Sequence, residues 1–268
     1  MKKRIGFIGC GKMASAIISG ILTSEYKNNY EVLGSEINTE FAQSASARLG
    51  ISVVTENKIL ANNSDIIFIA TKPNAVVDVI SEIKEQVSEG KLVVSIAAGV
   101  SLKKIENILT DTKVVRVMPN TPALVKLGMF GICRGRLATD NEVGLIENIL
   151  SILGKCIEVE ENQMDVVTAI SGSGPAFFYQ VIEDIARAGE KLGLDYEKSL
   201  TLATQTALGS AQMVFNREDK SVQTLIDNVA TKGGCTFVGI SEMQAQDSVN
   251  MFYNVISKTA EKAAELGK

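Results

Sequence analysis

The stretch IGFIGCGKMA, residues 5–14, decides the fold of the N-terminal part of the chain. An apolar run typical of a strand ends in the pattern G-x-G-x-x-A, and the residues after it have the spacing of an amphipathic helix. Gly9 permits a tight turn, Gly11 lets a phosphate group approach the backbone, and the small Ala14 lets the helix pack on the strand. Because the positive end of a helix attracts phosphate, this strand, turn and helix predict a dinucleotide-binding site.

The alternation of strand and helix continues through residues 1–161. Between the apolar runs lie amphipathic stretches, such as residues 76–83, whose apolar side chains recur at helical spacing. This alternation indicates a mostly parallel sheet with helices on both faces. We therefore predict an α/β, Rossmann-like, doubly wound dinucleotide-binding domain over residues 1–161. Its strands are predicted at Arg4–Ile8, Glu31–Gly34, Asp65–Ala70, Leu92–Ile96, Val114–Met118, Phe130–Cys133 and Cys156–Glu158.

The pattern changes at residue 162, and residues 162–268 predict an all-helical domain. Apolar residues recur every three or four positions from Met164 to Leu192 and again from Tyr196 to Phe215, without strand-like alternation. These helices carry many small residues, which let two helices approach closely. Such an approach has two interpretations, packing within one chain or interlocking with a second subunit. The small residues are Ala186, Ala188, Gly189, Ala203, Ala207, Gly209 and Ala211.

Composition excludes several classes of function. The net charge of -4 gives no basic surface for nucleic acid, and no apolar stretch reaches the roughly 18 residues of a membrane span. The chain has no histidine and its four cysteines are scattered, so we expect no metal site and a reduced, cytoplasmic protein. Without histidine, Ser-His-Asp and Cys-His nucleophilic sites are impossible. The chemistry must use hydroxyls, lysines, carboxylates or the reactivity of a cofactor.

Three motifs follow predicted strands and therefore lie at the carboxyl edge of the sheet, where open α/β sheets bind ligands. Glu36 also follows a predicted strand, and it either accepts a hydrogen bond from a ribose 2′-hydroxyl or is a solvated loop charge. The chain uses few prolines and places them in candidate site motifs, which indicates that they fix loop geometry. The three motifs are Thr71-Lys72-Pro73, Ala97-Ala98-Gly99 and Met118-Pro119-Asn120-Thr121-Pro122.

Two motifs of the helical domain predict backbone that meets a ligand. In SGSGPAF, residues 171–177, two glycines and a proline interrupt or kink a helical stretch, where each glycine costs roughly 1 kcal/mol and the proline roughly 3. That cost predicts a functional break, and the alternative is an ordinary interhelix turn. In NVATKGGCT, residues 228–236, a Gly-Gly turn leads into a helix and either presents N–H groups to a carboxylate or simply connects two helices.

Taken in order from Lys3 to Met243, these motifs resemble the pyrroline-5-carboxylate reductase family. The resemblance rests on the glycine motif, Thr71-Lys72-Pro73, the MPNTP segment at residues 118–122, SGSGPAF and the final Gly-Gly turn. It implies hydride transfer from NADPH or NADH to the C=N bond of 1-pyrroline-5-carboxylate, which gives L-proline in the last step of proline biosynthesis. It also implies a small-molecule imino acid as substrate and a homodimer or larger homo-oligomer built through the C-terminal helices.

Position by position, the resemblance implies a role for each site residue. Thr236 is the catalytic candidate, because its hydroxyl corresponds to the one that meets the pyrroline nitrogen. The substrate would be bound by Thr231, Gly234, Cys235, Thr236 and Ser173. The cofactor would be bound by Gly9, Gly11, Lys12 and Met13 at the pyrophosphate, by Ser35, Glu36 and Asn57 near the adenosine ribose, by Thr71, Lys72 and Pro73 near the nicotinamide half, and by Ala97 and Asn120 in the other two strand-end motifs.

The chain departs from the family in its final turn, where Lys232 replaces a proline and Cys235 replaces a threonine or alanine. Three interpretations therefore stay open: this reductase, a reductase of a related cyclic imine, and a non-catalytic NAD(P)-sensing protein. A β-hydroxyacid dehydrogenase would need a catalytic lysine on the first long helix of the second domain. No lysine lies between Met164 and Gly189, which argues against that enzyme.

Glu36 also predicts which cofactor is preferred. Its carboxylate would accept a hydrogen bond from the 2′-hydroxyl of NADH and repel the 2′-phosphate of NADPH. No arginine stands between Gly11 and Arg48 to offset the repulsion, although Lys12 and Lys58 could approach. We therefore expect NADH to serve at least as well as NADPH, although the resemblance alone implies NADPH in many family members.

Overall fold

The structure is a computed structural model that describes residues 2–87 and 90–267. Its contacts divide the chain into two units. The first unit ends at Ser173 and resumes at Lys258, and the second is Gly174–Ser257. Residues 162–173, which the sequence assigns to the helical domain, thus pack with the first unit. The predicted domain boundary after residue 161 stays a prediction, because a compact unit and a domain need not end at the same residue.

The first unit contains an eight-stranded sheet of order β3-β2-β1-β4-β5-β6-β7-β8. Neighbouring strands are parallel except for β6 and β7, which are antiparallel. Every predicted strand is present, so the mostly parallel, Rossmann-like sheet is confirmed. The additional strand β3 has only three residues, too few for an apolar pattern to mark it. The strands are β1 (Lys3–Ile8), β2 (Tyr30–Ser35), β3 (Ser52–Val54), β4 (Ile66–Ile69), β5 (Leu92–Ser95), β6 (Lys113–Met118), β7 (Gly128–Arg134) and β8 (Gly154–Glu158).

Helices cover both faces of this sheet and close two separate cores. Along β4, Ile66 and Phe68 enter one apolar cluster and Ile67 and Ile69 the other, because successive strand residues point to opposite faces. In the first cluster the rings of Phe7 and Phe68 stack with centroids 4.6 Å apart. The helices of this unit are α1 (Lys12–Thr23), α2 (Thr39–Leu49), α3 (Asn57–Asn62), α4 (Val76–Ile83), α5 (Leu102–Glu106), α6 (Asp140–Leu150) and α7 (Met164–Val167).

The second unit is helical, as predicted. A Cβ at Gly189 would lie 2.6 Å from the Ser199 hydroxyl. Glycine is therefore needed where the helix that contains Gly189 touches the helix that contains Ser199. The last residues of the final helix, from Lys258, belong to the first unit. No helix in the described part of the chain is long and apolar enough to span a membrane. The helices are α8 (Gly174–Lys191), α9 (Tyr196–Phe215), α10 (Val222–Val229), α11 (Cys235–Ala245) and α12 (Ser248–Leu266).

The SGSGPAF motif begins in a π-helical turn, Thr168–Gly172, and continues through Ser173 into α8. Pro175 is the second residue of α8, where its missing N–H costs nothing, so the expected penalty of a proline inside a helix does not arise. Gly172 packs beside Met118 on β6, where a Cβ would lie 2.3 Å from the terminal methyl Cε, an atom that a flexible side chain can move. Single π turns are frequent at functional sites. The predicted contact of this segment with a ligand stays a prediction.

Candidate active site

The glycine turn between β1 and α1 has the backbone geometry that a dinucleotide requires. Gly9 has φ +89, and a Cβ there would lie 2.8 Å from the carbonyl oxygen of Ala70, so only glycine fits. Gly11 caps α1 without a side-chain hydrogen bond, and open space surrounds the position of its missing Cβ. The first N–H groups of α1 have no partner within the helix. The turn therefore fits a pyrophosphate, with the exposed Lys12 as a neighbouring cation and Met13 half-buried beside it.

Glu36, at the end of β2, contacts this turn directly. Its Oε1 accepts a hydrogen bond of 2.7 Å from the backbone N–H of Cys10. The carboxylate is therefore held against the glycine turn, which argues against the interpretation of a freely solvated charge. A carboxylate accepts from more than one donor, so this bond leaves capacity for a ribose hydroxyl.

Arg48 also binds Cys10, at its carbonyl oxygen. Sequence reasoning did not assign Arg48 to the site. Its Nη2 donates to the carbonyl oxygen of Cys10 at 2.8 Å, and its Nη1 donates to the hydroxyl of Ser15 at 2.7 Å. Nothing in the sequence marks this contact, because Arg48 lies 38 positions from Cys10 in the last turn of α2. The structure therefore adds a guanidinium to the glycine turn.

Cys10 itself is a packing residue. Its side chain is buried over Gly34, where a Cβ would lie 2.7 Å from the Cys10 sulfur. Burial, with a contribution from the nearby Glu36 carboxylate, raises the pKa of the Cys10 thiol to about 11. The thiol is therefore neutral at physiological pH and acts as a small apolar side chain.

Ser35 and Asn57, the other residues predicted near the adenosine ribose, brace each other. The hydroxyl of the fully buried Ser35 donates to Oδ1 of Asn57 at 2.8 Å, and Asn57 Nδ2 donates to Glu82 on α4 at 2.8 Å. The backbone carbonyl of Ser35 accepts the N–H of Gly9 at 3.0 Å. These bonds fix the carboxyl end of β2 beside the glycine turn. Ser35 is thus a buried residue that supports the glycine turn, whereas Asn57 is half-buried at the surface of the site.

The segment after β4 reaches the same edge of the sheet. The backbone N of Thr71 lies 3.4 Å from the position of a Cβ on Gly9, which places the predicted nicotinamide segment beside the glycine turn. The Thr71 hydroxyl is buried and has no hydrogen-bond partner within residues 2–87 and 90–267. Lys72 is exposed, and Pro73 opens a short 3₁₀ turn. An unpartnered buried hydroxyl at this edge is a good fit for a bound polar ligand.

The two remaining cofactor candidates are largely enclosed. Ala97, just after β5, is buried. Asn120 is buried too, with Oδ1 accepting the N–H of Met129 at 2.9 Å and Nδ2 donating to the Ser171 hydroxyl at 3.4 Å. Asn120 thereby ties the end of β6 to β7 and to the π turn. Its predicted cofactor contact stays a prediction beside this structural role.

The predicted carboxylate site in the second unit is a tight turn followed by a helix. The N–H of Gly234 donates to the carbonyl of Thr231 at 2.9 Å, and Gly233 has φ +82, which together define a type II turn. Gly234 then caps α11 without a side-chain hydrogen bond. Because the Gly234 N–H closes the turn, the free donors are the N–H groups of the first helical turn, which begins at Cys235 and Thr236. Gly234 therefore sets the shape of the turn, and its N–H is not among the donors left for a carboxylate.

The structure thus divides the predicted substrate residues between the two units. Thr231, Gly234, Cys235 and Thr236 come together in the turn before α11, with Cys235 exposed and Thr236 half-buried. Ser173 ends the first unit, where its N–H donates to Thr168 at 2.8 Å and completes the π turn.

The sheet, the glycine turn and the acid after β2 are those of a Rossmann-type, dinucleotide-binding protein. Comparison with known proteins is more specific. Residues 161–266 match the family model for pyrroline-5-carboxylate reductase dimerisation, and residues 4–99 match the model for NADP oxidoreductase, coenzyme F420-dependent. The pyrroline-5-carboxylate reductase of Methanosarcina acetivorans is 38% identical over 99% of this chain and 98% of its own. The chain belongs to the pyrroline-5-carboxylate reductase family.

Solved structures agree with this membership. A pyrroline-5-carboxylate reductase from Coxiella burnetii superposes with a TM-score of 0.92 at 31% identity, over 100% of both chains. The pyrroline carboxylate reductase of Plasmodium falciparum, solved with NADP bound, has a TM-score of 0.86 at 33% identity, over 99% of this chain and 98% of its own. The likeness covers both units of the chain, so the family resemblance of the sequence is confirmed.

Proposed function

We propose that this protein is an NAD(P)H-dependent pyrroline-5-carboxylate reductase, which forms L-proline from 1-pyrroline-5-carboxylate. One observation carries the proposal. This chain, a member of the family, has both a glycine turn that fits a pyrophosphate and a Gly-Gly turn that opens α11 beside Thr236. Neither element involves histidine, which the chain lacks. A protonated imine is already electrophilic, so its reduction requires positioning and a proton relay more than a strong acid.

The first unit would hold the cofactor. The N–H groups of α1 and Lys12 carry the charge complementary to the pyrophosphate, Glu36 accepts from the ribose, and Thr71 offers its unpartnered hydroxyl. NAD(P)H bound there supplies the hydride. Gly9 and the buried Ser35 keep the turn in its shape, and β1 and β4 hold that shape rigidly.

The second unit would hold the imino acid. The free N–H groups at the start of α11 and the hydroxyl of Thr231 bind the carboxylate, where the helix dipole adds to the attraction. The Thr236 hydroxyl orients the ring nitrogen and relays a proton at that atom. Cys235 contributes its backbone N–H, which the replacement of threonine or alanine leaves unchanged.

Steady-state turnover tests the proposal. Purified protein should oxidise NADH or NADPH in the presence of 1-pyrroline-5-carboxylate and form one proline per cofactor. A larger kcat/KM with the six-membered homologue would favour a related cyclic-imine reductase. Cofactor binding without turnover of either imine would overturn the proposal and support the alternative of a non-catalytic NAD(P)-sensing protein.

We also propose a homodimer, or a larger homo-oligomer, assembled through the C-terminal helices. Its support is the match of residues 161–266 to the dimerisation model and the apolar side chains that the helices of the second unit expose. A cytoplasmic location is proposed as well, and it is supported by four free cysteines, which are usual in reducing compartments.

A further inference from the structure

Three side chains meet around the single peptide residue between the two glycines of the nucleotide turn. Glu36 Oε1 accepts the N–H of Cys10 at 2.7 Å. Arg48 Nη2 donates to the carbonyl oxygen of Cys10 at 2.8 Å, and the Ser15 hydroxyl, whose shorter bond is to the Gly11 carbonyl at 2.7 Å, lies 3.0 Å from the same oxygen. Both polar groups of Cys10 are therefore bound, one by an anion and the other by a cation.

Such a clamp has a clear physical effect on this turn. Gly9 and Gly11 flank Cys10, and glycine allows more backbone conformations than any other residue. Hydrogen bonds to charged groups are stronger than neutral ones, so two of them select one orientation of the Cys10 peptide units. The next N–H groups along the chain, at the start of α1, are then directed consistently. The carbonyl contact also ties α2 to the turn.

We infer that Arg48 is a positioning residue for the nucleotide turn and sets the affinity for NADH and NADPH alike. The inference rests on the proposed function only in the identity of the cofactor. In Arg48 the two terminal nitrogens both donate within the protein, Nη1 to Ser15 and Nη2 to Cys10, which holds the guanidinium on the turn itself. The bond to the Cys10 carbonyl acts on the turn whichever cofactor is bound. Each terminal nitrogen keeps a second N–H, so the competing role is a direct contact with a 2′-phosphate, which would act on NADPH alone.

Direct binding of each cofactor, without imine, tests the inference independently of turnover. NADH and NADPH are titrated by their fluorescence into wild type, Arg48→Met and Arg48→Lys. Arg48→Met should raise both Kd values by about tenfold and by the same factor, which is the low end for losing a hydrogen bond to a charged group. With saturating cofactor, kcat should keep its wild-type value. Arg48→Lys should show most of the same loss, because lysine keeps the charge but cannot donate to two acceptors as a fork.

Arg4→Met is the matched control. Arg4 likewise has its side chain bound, in an ion pair of 2.9 Å with Glu31. This pair lies near the starts of β1 and β2, at the end of the sheet away from the glycine turn, so both Kd values should be unchanged. A loss confined to NADPH would make Arg48 a 2′-phosphate ligand and overturn the inference. Unchanged Kd values, or a fall in kcat alone, would overturn it as well. If Arg48→Met does not fold, Arg48→Lys decides by the same criteria. Failure of imine turnover in wild type would contradict the proposed function and leave this binding test intact.

Discussion

The two units of this chain bury their apolar residues to very different degrees. In the sheet unit Phe7, Phe68 and Phe130 are fully buried. In the helical unit no residue of α10 or α11 is buried, and Phe178 on α8 is 67% exposed. Exposed apolar surface of this extent marks an interface. The sheet unit therefore has its own complete core, whereas the helical unit needs further surface to cover it.

This difference extends to the two candidate binding turns. The glycine turn is fixed by Gly9, Ser35, Glu36 and Arg48, all within the sheet unit. Within the described residues, the Gly-Gly turn is closed by one backbone hydrogen bond, and it opens a helix that has no buried residue. Cofactor affinity should thus depend on contacts inside one unit, and imine reduction should depend on the state of the helical unit.

Replacement of Thr236 should have the largest effect and would show that the chemistry needs the helical unit. Thr236→Ala removes the hydroxyl proposed to meet the ring nitrogen, and loss of one positioned proton-transfer group lowers kcat by roughly 10²–10⁴-fold. Cofactor Kd, measured by fluorescence, should be unchanged. Thr236→Ser is the control and should retain much of the activity. Near-wild-type turnover by Thr236→Ala would show that the assignment is wrong.

The contrast in burial can be tested by a pair of phenylalanine substitutions. Phe68→Ala should lower the free energy of unfolding by about 3–5 kcal/mol, as expected for a large buried ring. Phe178→Ala, in the helical unit, should have an effect that grows with protein concentration, because the proposed association would bury its ring. Urea denaturation at several concentrations measures both. Equal, concentration-independent losses would mean that the helical unit has a core of its own.

A smaller effect is expected for cofactor choice. Glu36→Ser should shift the kcat/KM ratio toward NADPH by about fivefold. Two like charges at 4 Å and an effective dielectric near 20 repel by roughly 4 kcal/mol, and a quarter of that, about 1 kcal/mol, corresponds to about fivefold. Glu31→Ser, at the other end of β2, is the control. A tenfold preference for NADPH that Glu36→Ser leaves unchanged would contradict the predicted role of Glu36.

The smallest effect concerns Lys232, which occupies the second position of the type II turn. Proline is common there, and its restricted φ lowers the entropy of the unfolded chain. Lys232→Pro should therefore raise the free energy of unfolding by about 0.4–1 kcal/mol, measured in urea. A loss of stability instead would show that the Lys232 N–H makes a bond that the turn needs.

Sequence patterns predicted most of the fold because the patterns are local. The apolar runs that form β1, β4 and β5 are bounded by glycine or polar residues, and the SGSGPAF and Gly-Gly motifs are contiguous. Three features were beyond such reasoning. The strand β3 is too short for periodicity, the π turn at Thr168–Gly172 packs beside Met118 of the distant strand β6, and the Arg48 contact joins residues far apart in sequence.

The most direct test of this account is mass and activity measured on the same sample. Size-exclusion chromatography with light scattering at micromolar concentration, with each fraction assayed for 1-pyrroline-5-carboxylate-dependent oxidation of NADH and NADPH, reports both. We expect the activity to elute with a mass at least twice 28.7 kDa, because the proposed homo-oligomer would cover the exposed helices with a second copy. A monomer of 28.7 kDa with full activity would contradict the account.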